Sequence, residues 1–260
     1  MRIPGNISYL ITKKQNSSLP EYFNHYLLNN NKVPKSFFNA DNYRKNLIKS
    51  NKQIKIQDFG AGSNKFKSDY RNISDIASVS GTNYAYGLFF HKIVEQFQPS
   101  QLLELGTSLG IGTMYFATAS KNLNITTIEA CNQTYLFTKN NFDSLGIKNN
   151  INLINNDFDA VLNSGQLNGQ QFDIIFIDGN HKGEKLLNYY KKIVRQYTMP
   201  KNIIILDDIN WSTDMFNAWK QITESDNKNT YLNLFRTGVI FKGYDFPAGY
   251  FTINFVNNLK

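Results

Sequence analysis

Cysteine is nearly absent: Cys131 is alone among 260 residues. A disulfide framework within the chain is thereby excluded, and a reducing compartment, the cytoplasm, is expected. No apolar run approaches the ~18 residues that a membrane helix needs. The longest candidates, Ile174–Ile177 and Ile203–Leu206, are strand-length. No continuous apolar segment precedes Lys13-Lys14, so no secretory signal is expected. Internal repeats are lacking too. Acidic residues are scarce at one end only. Residues 1–80 hold 13 Lys and Arg against 5 Asp and Glu, whereas residues 81–260 hold 15 of each. The net charge of +8 therefore belongs to the N-terminal segment. Such a segment is either a solvated, Lys-rich and Asn-rich surface or an attractor for an anionic partner.

What is present is the material of a globular protein, with 41% hydrophobic and 14% aromatic residues. The length suits one large domain, or one domain plus an extension. Tyr86, Phe90, Ile93, Val94 and Phe97 recur at helical spacing, and Pro99 ends that helix. Short apolar runs then read as buried strands: Leu102–Leu105, Ile125–Ile128, Ile151–Ile154, Ile174–Ile177 and Ile203–Leu206. Crossover helices are expected between them, at 110–122, 132–145, 183–197 and 212–223. Alternation of this kind means βαβ units and a parallel sheet covered on both faces. Tyr231–Phe235 and Gly238–Phe241, joined by Arg236-Thr237, read as a hairpin at the sheet edge, and Tyr250–Phe255 as one more strand. Segment 1–80 is less regular, with helices expected at Glu21–Asn29 and 41–49 and a strand at Ile54–Asp58. It reads as an appendage on a main domain spanning 81–260.

Two glycine-rich turns compete for a nucleotide: Asp58-Phe-Gly-Ala-Gly-Ser63 and Glu104-Leu-Gly-Thr-Ser-Leu-Gly110. A Rossmann-like site needs a strand before the turn, a helix after it, and an acid at the end of the next strand for the ribose hydroxyls. Polar residues follow the first turn, and no strand ending in an acid appears. The second turn follows Leu102–Leu105, opens a helix with Ile111, Met114 and Tyr115, and is succeeded by Ile125–Ile128 and Glu129. These residues resemble the first motif of class I S-adenosylmethionine (SAM)-dependent methyltransferases. The resemblance covers roughly 80–245 and is nearest the bacterial small-molecule O-methyltransferases. It implies a doubly wound, Rossmann-like, mostly parallel seven-stranded α/β sheet with an antiparallel last strand. It further implies SAM as cofactor, held by Glu104, Gly106, Thr107, Ser108, Gly110 and the ribose-binding Glu129, with Asp157 and Phe158 on the adenine side.

Polar residues just beyond strand ends face the ligand crevice in such sheets. Asp178-Gly-Asn-His181 and Asp207-Asp208 stand there, and three neighbouring acids repel one another unless a cation intervenes. Hard oxygen ligands suit Mg²⁺ or another divalent ion. The chain is similar here to cation-dependent O-methyltransferases, which implies Asp178, Asp207 and Asp208 as metal ligands, with Asn180 as an alternative to Asp178. The competing reading makes Asp178 and Asp207 helix N-caps. Where catechol-type enzymes carry a catalytic Lys, this chain has His181, which can take a hydroxyl proton near neutral pH; the expected catalytic pair is His181 and Asp178. His25 and His91 read as structural. The expected partner is a small-molecule acceptor, with no membrane; nucleic-acid methylation is the alternative. Base amino methylation is disfavoured because Asp178-Gly-Asn-His replaces the Asn/Asp-Pro-Pro-aromatic turn. RNA methylation and a non-catalytic SAM-binding module stay open.

Overall fold

The structure is a computed structural model describing Tyr9–Leu10 and residues 33–57, 69–147 and 150–255. The expected helix Glu21–Asn29, with His25, and the turn Asp58–Ser63 lie outside the described residues. In chain order the elements begin with β1 (Tyr9–Leu10), α1 (Phe37–Ile48), β2 (Gln53–Lys55), β3 (Tyr70–Asn72), α2 (Ile73–Val79) and α3 (Tyr84–Phe97). The alternating region follows as β4 (Gln101–Leu105), α4 (Ile111–Ala117), β5 (Asn124–Glu129), α5 (Asn132–Leu145), β6 (Ile151–Asn155) and α6 (Phe158–Ser164). It continues through β7 (Phe172–Ile177), α7 (Gly183–Gln196), β8 (Thr198–Leu206) and α8 (Thr213–Glu224). The chain closes with β9 (Thr230–Asn233), β10 (Gly238–Lys242), β11 (Gly249–Thr252) and β12 (Asn254–Phe255).

The five apolar runs form adjacent parallel strands in the order β6-β5-β4-β7-β8. Their residues alternate between two cores. Ile175, Ile177, Ile204 and Leu206 pack with Leu186, Tyr189, Ile193, Met215 and Trp219 on one face. Ile174, Phe176, Ile203 and Ile205 pack with Phe89, Phe90, Ile93 and Phe116 on the other. A strand covered on both sides has no polar face, which is why Ile174–Ile177 and Ile203–Leu206 read as unbroken apolar runs, whereas the edge strand β6 exposes Asn152 and Asn155. The chain winds outward from β4 to β6 and then returns to β7 on the other side of β4. That reversal opens a crevice at the carboxyl end of β4, where a doubly wound sheet takes its ligand.

Eight strands make up this sheet, one more than the seven expected. β10 runs antiparallel between β8 and β9, and the edge beyond β9 is taken by β11, so the hairpin is not the outermost element. The expected strand Tyr250–Phe255 divides into β11 and β12, the latter pairing with β1.

The described part of the N-terminal segment is built onto the domain. Phe37, Ala40, Tyr43 and Leu47 of α1 share one buried cluster with Ile73 and Ile76 of α2 and with Leu109, Ile111, Met114 and Tyr115 at the start of the domain's first crossover. Part of its basic charge is locally spent, since Lys45 Nζ lies 2.7 Å from the fully buried Asp41. His91 is enclosed with its ring nitrogens 3.1 Å from Ser36 Oγ and 3.1 Å from Tyr115 O. Burial drives its pKa down to about 4, so it is a neutral structural group.

Candidate active site

The turn after β4 is strapped from every side. The N–H groups of Gly106 and Thr107 both donate to Ile128 O, at 3.0 and 3.2 Å. Thr138 Oγ1 donates to Ser108 O at 2.7 Å, and Tyr43 of α1 donates to Leu109 O at 2.6 Å. Gly106 has φ +104°, and a Cβ there would stand 1.9 Å from the Asp178 carbonyl oxygen. Glycine is therefore required by the close approach of two strand ends as much as by a ligand. Gly110, at φ +74°, is the N-cap of α4, and a Cβ there would meet the ring of Phe142 at 2.5 Å.

Glu104, nearly solvent-free, sits under the turn and accepts from Thr113 Oγ1 at 2.5 Å and Thr127 Oγ1 at 2.6 Å. Burial, opposed by these two hydroxyls and reinforced by Glu129, raises its pKa to about 7. Glu129 reaches across from β5. Its Oε2 accepts from Ser108 N at 2.9 Å and its Oε1 from Cys131 N at 2.8 Å. The turn and the ribose-type acid thus meet, as a nucleoside site requires. Each carboxylate oxygen keeps a second acceptor position for a hydroxyl. Burial also raises the Glu129 pKa.

A narrow cleft lies over the turn, lined by Glu104, Gly106, Thr107, Ser108, Gly112 and Asp178 together with Ser80-Gly81-Thr82. The Ser80–Thr82 wall comes from the α2–α3 connection and escaped the sequence reading. Its only local signal is Asn83, which caps α3 by accepting from Tyr86 N at 3.1 Å. Gly110, Glu129, Asp157 and Phe158 stand outside this cleft's lining, Glu129 reaching it only through its bond to Ser108 N. Asp157 caps α6 by accepting from Asp159 N and Ala160 N, while Phe158 meets Tyr189 edge-on at 5.8 Å.

Beyond β7 and β8 the polar residues converge. Asp178, His181 and Asp208 each bring one ligand atom within 4.8 Å of the others. His181 Nδ1 lies 3.8 Å from Asp208 Oδ2, and the His181 ring packs against Trp211 with centroids 5.6 Å apart. Neither expected cap is a cap: α7 is preceded by Lys182 and α8 is capped by Ser212. Asp207, expected with Asp178 and Asp208 as a metal ligand, is outside the converging group. Its Oδ2 accepts from Arg236 Nη2 at 2.6 Å, and its Oδ1 from Arg236 Nε at 3.2 Å and Thr237 Oγ1 at 2.7 Å. Arg236 also brings Nε within 3.1 Å of Asp208 Oδ1. The Asp178 pKa is raised well above the carboxylate range by burial and by Asp207. The Asp208 pKa is raised as well, by burial first and then by Asp207. Arg236 was passed over in the sequence because it looked like an ordinary turn residue.

Comparison with known proteins accords with this geometry. A family described as "Methyltransferase domain" matches residues 103–209. A search of the curated proteins finds no match. Among solved structures, the chain is similar to the SAH-bound methyltransferase PaMTH1 of Podospora anserina, at 15% identity and TM-score 0.60, over 89% of this chain and 100% of that one. It is also similar to an SAH complex of an O-methyltransferase from Bacillus cereus, at 15% identity and TM-score 0.56, over 85% and 95% of the two chains. The SAM-bound O-methyltransferase TomG of Streptomyces achromogenes, involved in tomaymycin synthesis, aligns at 13% identity and TM-score 0.57, over 86% and 95%. The glycine turn and the strands after it thus lie inside a segment that matches a methyltransferase domain, and the chain shares its fold with SAM- and SAH-bound methyltransferases.

Proposed function

We propose that the chain methylates an oxygen of a small-molecule acceptor, with His181 removing the acceptor's proton. The observation that carries this reading is the continuity of the cleft over the glycine turn with Asp178, beside which His181 and Asp208 converge. Cofactor and proton acceptor are thereby assigned to neighbouring strand ends. Thr82, Glu104, Gly106, Thr107, Ser108 and Glu129 are the groups that hold SAM, which supplies an electrophilic methyl on a sulfonium. Gly110 serves by starting α4, and Asp157 and Phe158 by shaping the adenine side.

What the chain must add is alignment and proton removal. His181 Nδ1 faces Asp208, which leaves Nε2 to accept the hydroxyl proton as the acceptor oxygen bonds to the methyl carbon. The C–S electron pair stays on sulfur, so charge and protons balance. Asp178 lines the cleft and stands beside His181 and Asp208, where it can contact the acceptor. Trp211 and Phe235, 48% and 64% exposed, stand on the two connections around this point and suit an acceptor with a flat apolar body.

Calorimetric titration with SAM tests the cofactor: no binding by the wild type, or unchanged binding by Gly106→Arg, would remove the reading. With phenolic and sugar acceptors, His181→Ala is expected to lower turnover by about 10²–10⁴ at unchanged SAM affinity. Equal turnover would leave His181 without a role as base.

A further inference from the structure

We infer that Arg236 is the resident cation of the acid cluster and that the site works without a divalent metal ion. The inference concerns the same site as the proposed methyl transfer, but its physical basis is separate. Asp178, Asp207 and Asp208 gather at two strand ends, and some positive charge must compensate them. The guanidinium of Arg236 supplies it through the Nη2 contact to Asp207 at 2.6 Å and the Nε contacts to Asp207 and Asp208 at 3.2 and 3.1 Å. A planar guanidinium holds two carboxylates in a fixed relation, which a flexible ammonium does not.

The placement of Arg236 is built into the fold. Its backbone N–H donates to Tyr86 Oη at 3.2 Å, and Tyr86 in turn donates to Leu234 O at 2.6 Å. Its carbonyl accepts from Ile209 N at 2.9 Å, tying the β9–β10 turn to the connection that carries the acids. Phe235, just before it, is held at φ +71°, a conformation that a bulky residue adopts only under surrounding constraint.

A divalent ion fits this arrangement poorly. The spacing of Asp178, His181 and Asp208 would admit one. Asp207 has both oxygens engaged, however, and an ion bound to Asp208 would sit beside a full positive charge in a mostly buried site. With Arg236 in place, Asp208 is anchored through Oδ1 while Oδ2 faces His181 at 3.8 Å, positioned to stabilise the imidazolium formed when His181 takes a proton.

Titration of the full chain with Mn²⁺, following the paramagnetic resonance signal of the free ion, tests the inference. After dialysis against EDTA, the wild type is expected to leave the free-ion signal undiminished, and Arg236→Lys, which keeps the charge, to do the same. Arg236→Met is expected to bind Mn²⁺ at least about tenfold more tightly than the wild type. Stoichiometric Mn²⁺ binding by the wild type that is lost in Asp208→Ala overturns the inference. So does a folded Arg236→Met that binds no more tightly than the wild type. Should Arg236→Met fail to fold, the wild-type titration decides alone. A parallel SAM titration in EDTA separates the two proposals: absent SAM binding counts against the methyltransferase site and leaves the Mn²⁺ result standing.

Discussion

At the residue scale, Gly106 and Glu104 make the sharpest demands. Gly106→Ala combines a forbidden φ with a Cβ 1.9 Å from a backbone carbonyl, and neither strand end can yield without breaking ladder hydrogen bonds. Destabilisation of about 3 kcal/mol or more is expected in urea unfolding, together with loss of SAM binding. Glu104 governs a pH dependence. Its pKa of about 7 lies above the unfolded value, so the folded chain holds a proton that the unfolded chain releases. Stability then falls as pH rises from about 4.5 to about 7, by about 3 kcal/mol in total. Glu104→Gln is expected to flatten that slope, which denaturant curves at about pH 5 and about pH 8 will measure. Both residues were readable in the chain as a glycine turn after a strand and an acid before it. Arg236 was not, because its partner Asp207 is 29 residues distant and the pairing depends on β10 entering between β8 and β9.

At the scale of elements, strain collects at one end of the sheet. Ser108, Asn180, His181, Asp208 and Phe235 all have positive φ, and all follow the carboxyl ends of β4, β7, β8 and β9. Non-glycine residues in this region cost free energy and persist only where packing over-determines them, which is a mark of a functional edge. Spacing and composition forecast the strands and crossover helices themselves, because burial on both faces writes a continuous apolar run. Pattern forecast the hairpin and one more strand at Tyr250–Phe255 too, but not the helix α6, nor the division of that last run into β11 at the sheet edge and β12 paired with β1. The link from α1 to the glycine turn is testable on its own. Tyr43→Phe removes the hydroxyl that donates to Leu109 O and leaves that carbonyl unpaired within a buried cluster. A loss of about 1 kcal/mol is expected, along with weaker SAM binding, measured by thermal unfolding and calorimetry.

At the scale of the whole molecule, cofactor and fold should be thermodynamically linked. The turn, Glu129 and the α2–α3 wall belong to three separate segments that meet only in the folded chain, so SAM is expected to bind the native state alone. At a concentration about 100 times its Kd, SAM should add about 2.7 kcal/mol, read as a rise in Tm; an unchanged Tm would place the cofactor elsewhere. Local pattern sufficed for the sheet's class, since the alternation of strands and helices depends on residues close in sequence. The compensation of the acids did not follow from pattern. A divalent ion and an arginine relieve the same repulsion, and sequence cannot say which is near. Only the insertion of β10, which carries Arg236 to Asp207 and Asp208 across the top of the sheet, decides between them, because charge interactions depend on distance in space and not on distance along the chain.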